Sequence, residues 1–241
     1  MDISSILKNI IDKKGVLFMR NKFIIFTILF IISFYKLDAA NFVVGFMGQF
    51  GASAATTEKG KIFNSDFREF ESSFSVQPGV FFSYYDTISS AIFLDIGYGK
   101  DRYEFRYGES ENRIVENFRL NNISIGLLPR INFGFLSIGI GGGVKFPISM
   151  TYSIGNEKKY KLDLGDIRDT LNNFYYPYIK ASVDFLIKGK NKFMMTLGVY
   201  ANYDFPFNLK NNGMLKDIAY SKENIASFDI GFQIGFYLIS L

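Results

Sequence analysis

Residues 137–147 read SIGIGGGVKFP, four glycines within five positions and a lysine just beyond. Glycines ahead of a lysine are the raw material of a phosphate cradle, in which bare backbone N–H groups wrap the anion and the ammonium caps it. A P-loop needs Gly-Lys-Ser/Thr at its end, the hydroxyl being the metal ligand; here Lys145 follows Val144, and Phe146 stands where the hydroxyl belongs. A dinucleotide fingerprint needs a third glycine that lets a helix pack closely. Gly139 and Gly141 fit its first two places, but Val144 fills the third and Pro147 blocks a helix. Both motifs fail at the residue that carries the chemistry, so these glycines call for another explanation.

The remaining reactive side chains are few in kind. The 241 residues contain no His and no Cys. That removes the usual general base, the commonest transition-metal ligand, and every Ser-His or Cys-His nucleophile pair. Disulfides and thiolate chemistry go with them. No catalytic residue, no metal site and no cofactor is therefore expected, and the chain reads as a non-enzyme. The polar groups worth following are Asp95, Arg130, Lys145, Lys180, Asp184, Asp229 and Gln233, each flanked by large apolar residues. A charge buried in a narrow space must find a counter-charge. These seven are expected to form an ion-pair network; an ion path is the alternative use of the same groups.

What positions them is alternation. In FVVGFMGQFG, residues 42–51, Phe42, Val44, Phe46 and Phe50 share one face with Gly48, while Val43, Gly45, Met47, Gln49 and Gly51 share the other. Period two over ten residues is a strand. The same rhythm returns in seven further runs, at 74–85, 92–99, 122–131, 136–146, 175–187, 195–204 and 228–238. One face of each carries Phe, Ile, Leu and Val; the other carries Gly, Ser, Asn and the seven polar groups above. The spacing predicts eight strands joined by alternately long and short connections. The long ones are expected at about 52–73, 100–113, 147–173 and 205–224. Helical periodicity is absent except for one turn near 166–171.

A soluble sheet would turn the apolar face inward. Three features predict the reverse. Eight strands enclose only enough room for side chains, which suits the sparse face and not the bulky one. The runs are about as long as a tilted strand needs to cross a bilayer. Long and short connections alternate on a chain with an even strand number, as in outer-membrane barrels, and closing the ring pairs every edge, as lipid requires. The expected fold is all-β: an eight-stranded antiparallel up-and-down transmembrane β-barrel over residues 41–241, behind an N-terminal signal peptide. Gly139, Gly141 and Gly143 then face the interior, where a neighbour's longer side chain needs the room.

The first forty residues read as an address. Arg20 and Lys22 precede the apolar run FIIFTILFIISF at 23–34, followed by YKLDAA, the order of a secretory signal. As a helix that run would span ~18 Å, short of a ~30 Å hydrocarbon core. Met19 is a candidate start, with 1–18 an extension. Lys8, Lys13, Lys14, Arg20, Lys22 and Lys36 place most of the chain's +4 net charge in this segment. The rest is close to neutral and offers no basic face for nucleic acid.

The layout, with its loop rhythm and the closing FQIGFYLISL, resembles the small OmpA/OmpX-like outer-membrane barrels, especially the eight-stranded, Ile-, Lys-, Asn- and Phe-rich barrels of low-GC spirochaetes such as Borrelia. The resemblance covers about residues 41–241. It implies a periplasmic N-terminus, three periplasmic turns and four surface loops. It also implies that the C-terminal strand is read by the barrel-assembly machinery, although Leu241 stands where such barrels usually end in an aromatic. On that reading outer-membrane lipid is the main partner. The loops, with Phe63, Phe67, Phe70, Tyr152, Tyr160 and Tyr220, are the candidates for contact with a host protein. A small-solute porin and an exported lipocalin-like barrel with an apolar ligand inside are the alternative functions.

Overall fold

The computed structural model describes residues 40–56, 69–83, 87–107, 114–155, 159–189, 192–210, 213–215, 217–219 and 223–239. The signal-peptide expectation over 1–40 lies outside them, apart from Ala40. So do Phe63, Phe67 and Tyr220.

Nine strands are present: β1 (Ala40–Thr56), β2 (Glu69–Ser83), β3 (Ile88–Tyr107), β4 (Ile114–Phe133), β5 (Leu136–Ile154), β6 (Lys159–Leu162), β7 (Tyr176–Lys188), β8 (Phe193–Phe207) and β9 (Ile225–Ile239). Eight of them pair with their neighbours in sequence order, skipping β6, and β1 closes on β9 through an antiparallel ladder from Val43↔Ile239 to Thr56↔Ala226. The result is a closed antiparallel ring of eight strands. β6 is an addition, paired to the far end of β5.

Short connections join β2 to β3, β4 to β5 and β7 to β8 at one end, and long ones lie at the other. The tightest is Gly134–Phe135, where Gly134 takes φ +59°, a conformation open to glycine at no steric cost. In the connection from β5 to β7, helix α1 (Leu164–Thr170) is fixed by a capping box. Asp163 accepts from the Gly165 and Asp166 N–H groups while Asp166 accepts from the Asp163 N–H.

The outer connections are shorter than the sequence predicts because the strands run on. β3 and β4 each reach 20 residues, past the point where charges begin at Lys100. The stretch KDRYEFRY alternates as strictly as the apolar runs, with the polarity of its two faces exchanged. Lys100, Arg102, Glu104 and Arg106 look outward, and Asp101, Tyr103 and Phe105 inward. Phe70 accordingly lies on β2, Tyr152 on β5 and Tyr160 on β6.

Candidate functional site

The interior of the ring is the candidate site, and its orientation is the central fact. Phe42, Phe46 and Phe50 of β1 are exposed, as are Ile123, Ile125 and Leu127 of β4 and Phe232 of β9, the last by 71%. Asp95, Arg130, Lys180, Asp184, Asp229 and Gln233 are buried, and the Lys145 side chain is 12% exposed. All seven polar residues singled out from the sequence therefore point inward.

They lie in layers. At the short-turn end, Val43, Met47, Phe93, Leu128, Met194 and Tyr237 form an apolar floor. Arg130 lies over it, its guanidinium carbon 5.5 Å from the Phe93 ring centre and 5.9 Å from that of Tyr237, a cation–π arrangement. It pairs with Asp184 at 3.1 Å. Gln233 donates to Asp184 at 2.7 Å, and Gln49 donates to Gln233 at 2.8 Å. Across the interior Lys180 holds Asp95 at 3.2 Å. Gln77 donates to the other oxygen of Asp95 at 2.9 Å and accepts the Tyr237 hydroxyl at 2.6 Å.

One layer further toward the long connections, Lys145 Nζ lies 2.8 Å from Asp101 Oδ2 and 2.8 Å from Asp204 Oδ2. Asn122 and Tyr176 also donate to Asp101. Asn202 bridges Asp204 and Asp229, donating at 2.9 and 2.8 Å. Asp229 is thus held by an amide, whereas Lys145 serves two aspartates that the sequence analysis did not single out. Their signal was parity: Asp101 continues the even spacing of Asp95, Gly97 and Gly99, and Asp204 shares a face with Asn202. Glu71, buried on β2, was missed for the same reason as Asp101, the segment having been read as loop. Among the described residues the inward acids Glu71, Asp95, Asp101, Glu116, Asp184, Asp204 and Asp229 outnumber the inward bases Arg130, Lys145 and Lys180.

Above this network the interior turns apolar again. Tyr103, Phe118, Leu120, Met150 and Tyr152, with Ile167 of α1 and Leu171 just after it, close the long-connection end as an apolar, aromatic-rich cap. Tyr152, expected on a surface loop, is fully buried here, its hydroxyl 2.9 Å from a Glu116 carboxylate oxygen and 3.1 Å from the Ile218 carbonyl, two acceptors for its one proton. Tyr160 is half-buried against it, ring centres 6.1 Å apart. Phe70 alone of the described trio is exposed, stacked on Phe50 at 6.4 Å.

The glycines also have a reason different from the expected one. A Cβ on Gly141 would collide with the Leu127 carbonyl, and one on Gly143 with the Ile125 carbonyl and, at 2.5 Å, with Gly126 Cα. These residues permit close approach of β4 backbone rather than the passage of a long side chain. Only Gly139 faces side chains first, with Ser182 Oγ 2.8 Å from its would-be Cβ and Arg130 Cγ at 3.2 Å.

Between floor and cap a cavity of about 50 Å³ remains, lined in part by Glu71, Asp101, Lys145, Lys180, Asn202 and Asp229. That volume suits a few water molecules. Among the described residues no group of three or more acidic side chains is arranged to hold a metal ion.

The fold and site define a class: a closed eight-stranded antiparallel β-barrel with an ionic interior and an apolar exterior. No protein-family model matches the chain, and no curated protein matches it. Solved structures do. Neisserial surface protein A is 11% identical, with 82% of this chain and 98% of that one covered and a TM-score of 0.36. Ail, the attachment invasion locus protein of Yersinia pestis, in complex with the heparin analogue sucrose octasulfate, is 10% identical over 82% and 99%, with a TM-score of 0.37. The outer membrane protease OmpT of Escherichia coli is 7% identical over 85% and 97%, with a TM-score of 0.37. Identities and scores this low carry no inference about residues or activity.

Proposed function

We propose that this chain is an integral outer-membrane β-barrel, a non-enzymatic scaffold that presents its long connections at the cell surface and whose interior is sealed by its own side chains. The observation that carries this is the inverted polarity. On β3 the outward residues from Ile88 to Tyr98 are apolar apart from Ser90. Eleven residues at ~3.3 Å each, tilted by ~45°, span about 25 Å, the height of the apolar band of outer-membrane barrels. The partner of that band is lipid. The assembly machinery would meet β9, the strand that closes the ring on β1.

A porin needs an aqueous path. The apolar floor, the ionic layers and the aromatic cap lie in series across the interior, which favours a closed barrel over a conducting one. A lipocalin-like barrel needs Phe and Ile around an internal ligand, and the exposure of Phe42, Phe46, Phe50 and Phe232 is the opposite arrangement. A host-protein contact, with Phe70 and the connections bearing Phe63, Phe67 and Tyr220 as candidates, is the role we assign to the surface end.

Carbonate washing of membranes from expressing cells tests the reading. The protein should stay in the pellet, migrate on gels in a heat-modifiable form, and insert into lipid vesicles. A folded protein recovered in the wash, soluble without detergent, would overturn it.

A further inference from the structure

The cavity between floor and cap is lined by more acid than base. Glu71, Asp95, Asp101 and Asp229 face it, against Lys145 and Lys180. Both ammonium groups are committed. Lys180 pairs with Asp95 at 3.2 Å, and Lys145 is shared between Asp101 and Asp204. Glu71 and Asp229 are left over, and among the described residues neither has an ion-pair partner. The groups that bond them are neutral. The Arg102 backbone N–H donates to Glu71 Oε1 at 3.0 Å. Asn202 donates to Asp229 Oδ2 at 2.8 Å, and the Ser53 hydroxyl stands beside Asp229, its partner in the ladder. Asp229 is also the charged group that repels Glu71 most strongly.

Two carboxylates removed from water without a counter-charge are costly. The uncharged lining points to what offsets them. Asn122, Asn202 and Asp229 line the cavity, and each carries a buried Oδ1 that no donor reaches. Asn122 and Asp229 are 1% exposed. The two amides direct Nδ2 at Asp101, Asp204 and Asp229, which leaves their carbonyl oxygens as open acceptors. Water can donate to these oxygens, but a neutral molecule leaves the charge of Glu71 and Asp229 in place. A cation answers both deficits. A lining of carboxylate and amide oxygens is a hard donor set, and it needs neither His nor Cys. Calcium accepts an irregular set of such ligands, whereas magnesium demands a regular octahedron and gives up its water reluctantly. A volume of about 50 Å³ admits one ion of this size with a water or two.

We propose that Glu71 and Asp229, with the Oδ1 atoms of Asn122 and Asn202, form a calcium-type cation site inside the barrel. The ion supplies the counter-charge that Lys145 and Lys180 do not. Because apolar layers close both ends of the interior, it is taken up as the ring folds. The site requires the closed ring alone and stands whether or not that ring lies in lipid.

The test refolds the full chain from urea in uncharged detergent micelles, which removes headgroup phosphates as competing ligands. Terbium(III), a calcium stand-in, is present throughout, and its tyrosine-sensitised emission is read after unbound ion is removed. Tyr178 and Tyr200 line the same cavity, and the chain has no Trp. Wild-type protein should emit. Calcium during refolding should suppress the signal at concentrations roughly tenfold or more below those of magnesium, and sodium at equal ionic strength should not suppress it. The E71Q/D229N variant should bind terbium roughly tenfold or more weakly, because affinity follows the charge of the ligands. D169N, at an exposed position of α1, should bind as wild type does. Heat-modifiable migration verifies each fold; if the double variant gives no folded band, E71Q alone carries the comparison and should show part of the loss. Absence of emission from wild type, which is the result for a cavity holding water only, overturns the site. So does unchanged affinity in the carboxylate variants, equal suppression by sodium, or equal loss in D169N. A chain that folds and binds terbium in micelles but is recovered in the carbonate wash defeats the membrane reading and leaves the site standing, so the two failures are separable.

Discussion

Replacing Lys145 with methionine is the sharpest test of the interior. Its ammonium is the common counter-charge of two aspartates, 2.8 Å from each. Asp204 is fully buried and Asp101 nearly so. In the variant, Asp101 keeps its bonds from Asn122 and Tyr176, and Asp204 keeps those from Asn202 and Ser227. Both carboxylates thus retain donors but lose their counter-charge, and the other lysine of the network is occupied by Asp95. Methionine preserves most of the volume, so the cavity contribution is small. Breaking a buried ion pair from one side costs about 3–5 kcal/mol. With two carboxylates stranded, K145M should sit at the upper end, and K180M, which strands Asp95 alone, at the lower. The chain has no Trp, so urea unfolding in vesicles is followed by circular dichroism. The D101N/K145M/D204N variant removes both stranded charges and should recover most of the loss. A K145M protein within about 1 kcal/mol of wild type, or a triple variant no better than K145M, would refute the role given to this ion triad.

Phe232→Arg, on the outer face of β9, should cost about 2–4 kcal/mol in a bilayer and little in the micelle-free fold that a soluble protein would have; unfolding in vesicles measures it, and a neutral effect there contradicts the lipid-facing assignment. Gly143→Val should abolish the heat-modifiable folded band, because the new Cβ meets β4 backbone that cannot move aside. Tyr152→Ala should open the cap at a cost of about 3–5 kcal/mol and expose the long-connection end to protease, whereas Phe70→Ala should leave stability within about 1 kcal/mol. In planar bilayers the purified protein should show no large stable openings, since apolar layers close both ends of the interior.

The strand rhythm, the closed all-β architecture and the inward aim of Asp95, Arg130, Lys145, Lys180, Asp184, Asp229 and Gln233 were legible in the sequence, because successive side chains of a strand point to opposite faces. A two-residue period fixes which residues share a side without knowledge of what lies across from them. The polarity of the two faces then says which side is dry. Three things were decided only by the fold. The first is where strands end: Lys100 looked like the start of a loop, yet beyond the band the same alternation continues with outward charge and inward Tyr103 and Phe105, so burial of Tyr152 depends on what α1 and its neighbours cover. The second is partnership. Lys145 chooses Asp101 and Asp204 over Asp229 because register and the curvature of a closed ring, both non-local, determine which side chains meet across the interior. The third is why the glycines are there. Alternation placed Gly139, Gly141 and Gly143 on one face, but the carbonyls of β4 that exclude a Cβ from two of them come near only when two strands are brought into ladder contact.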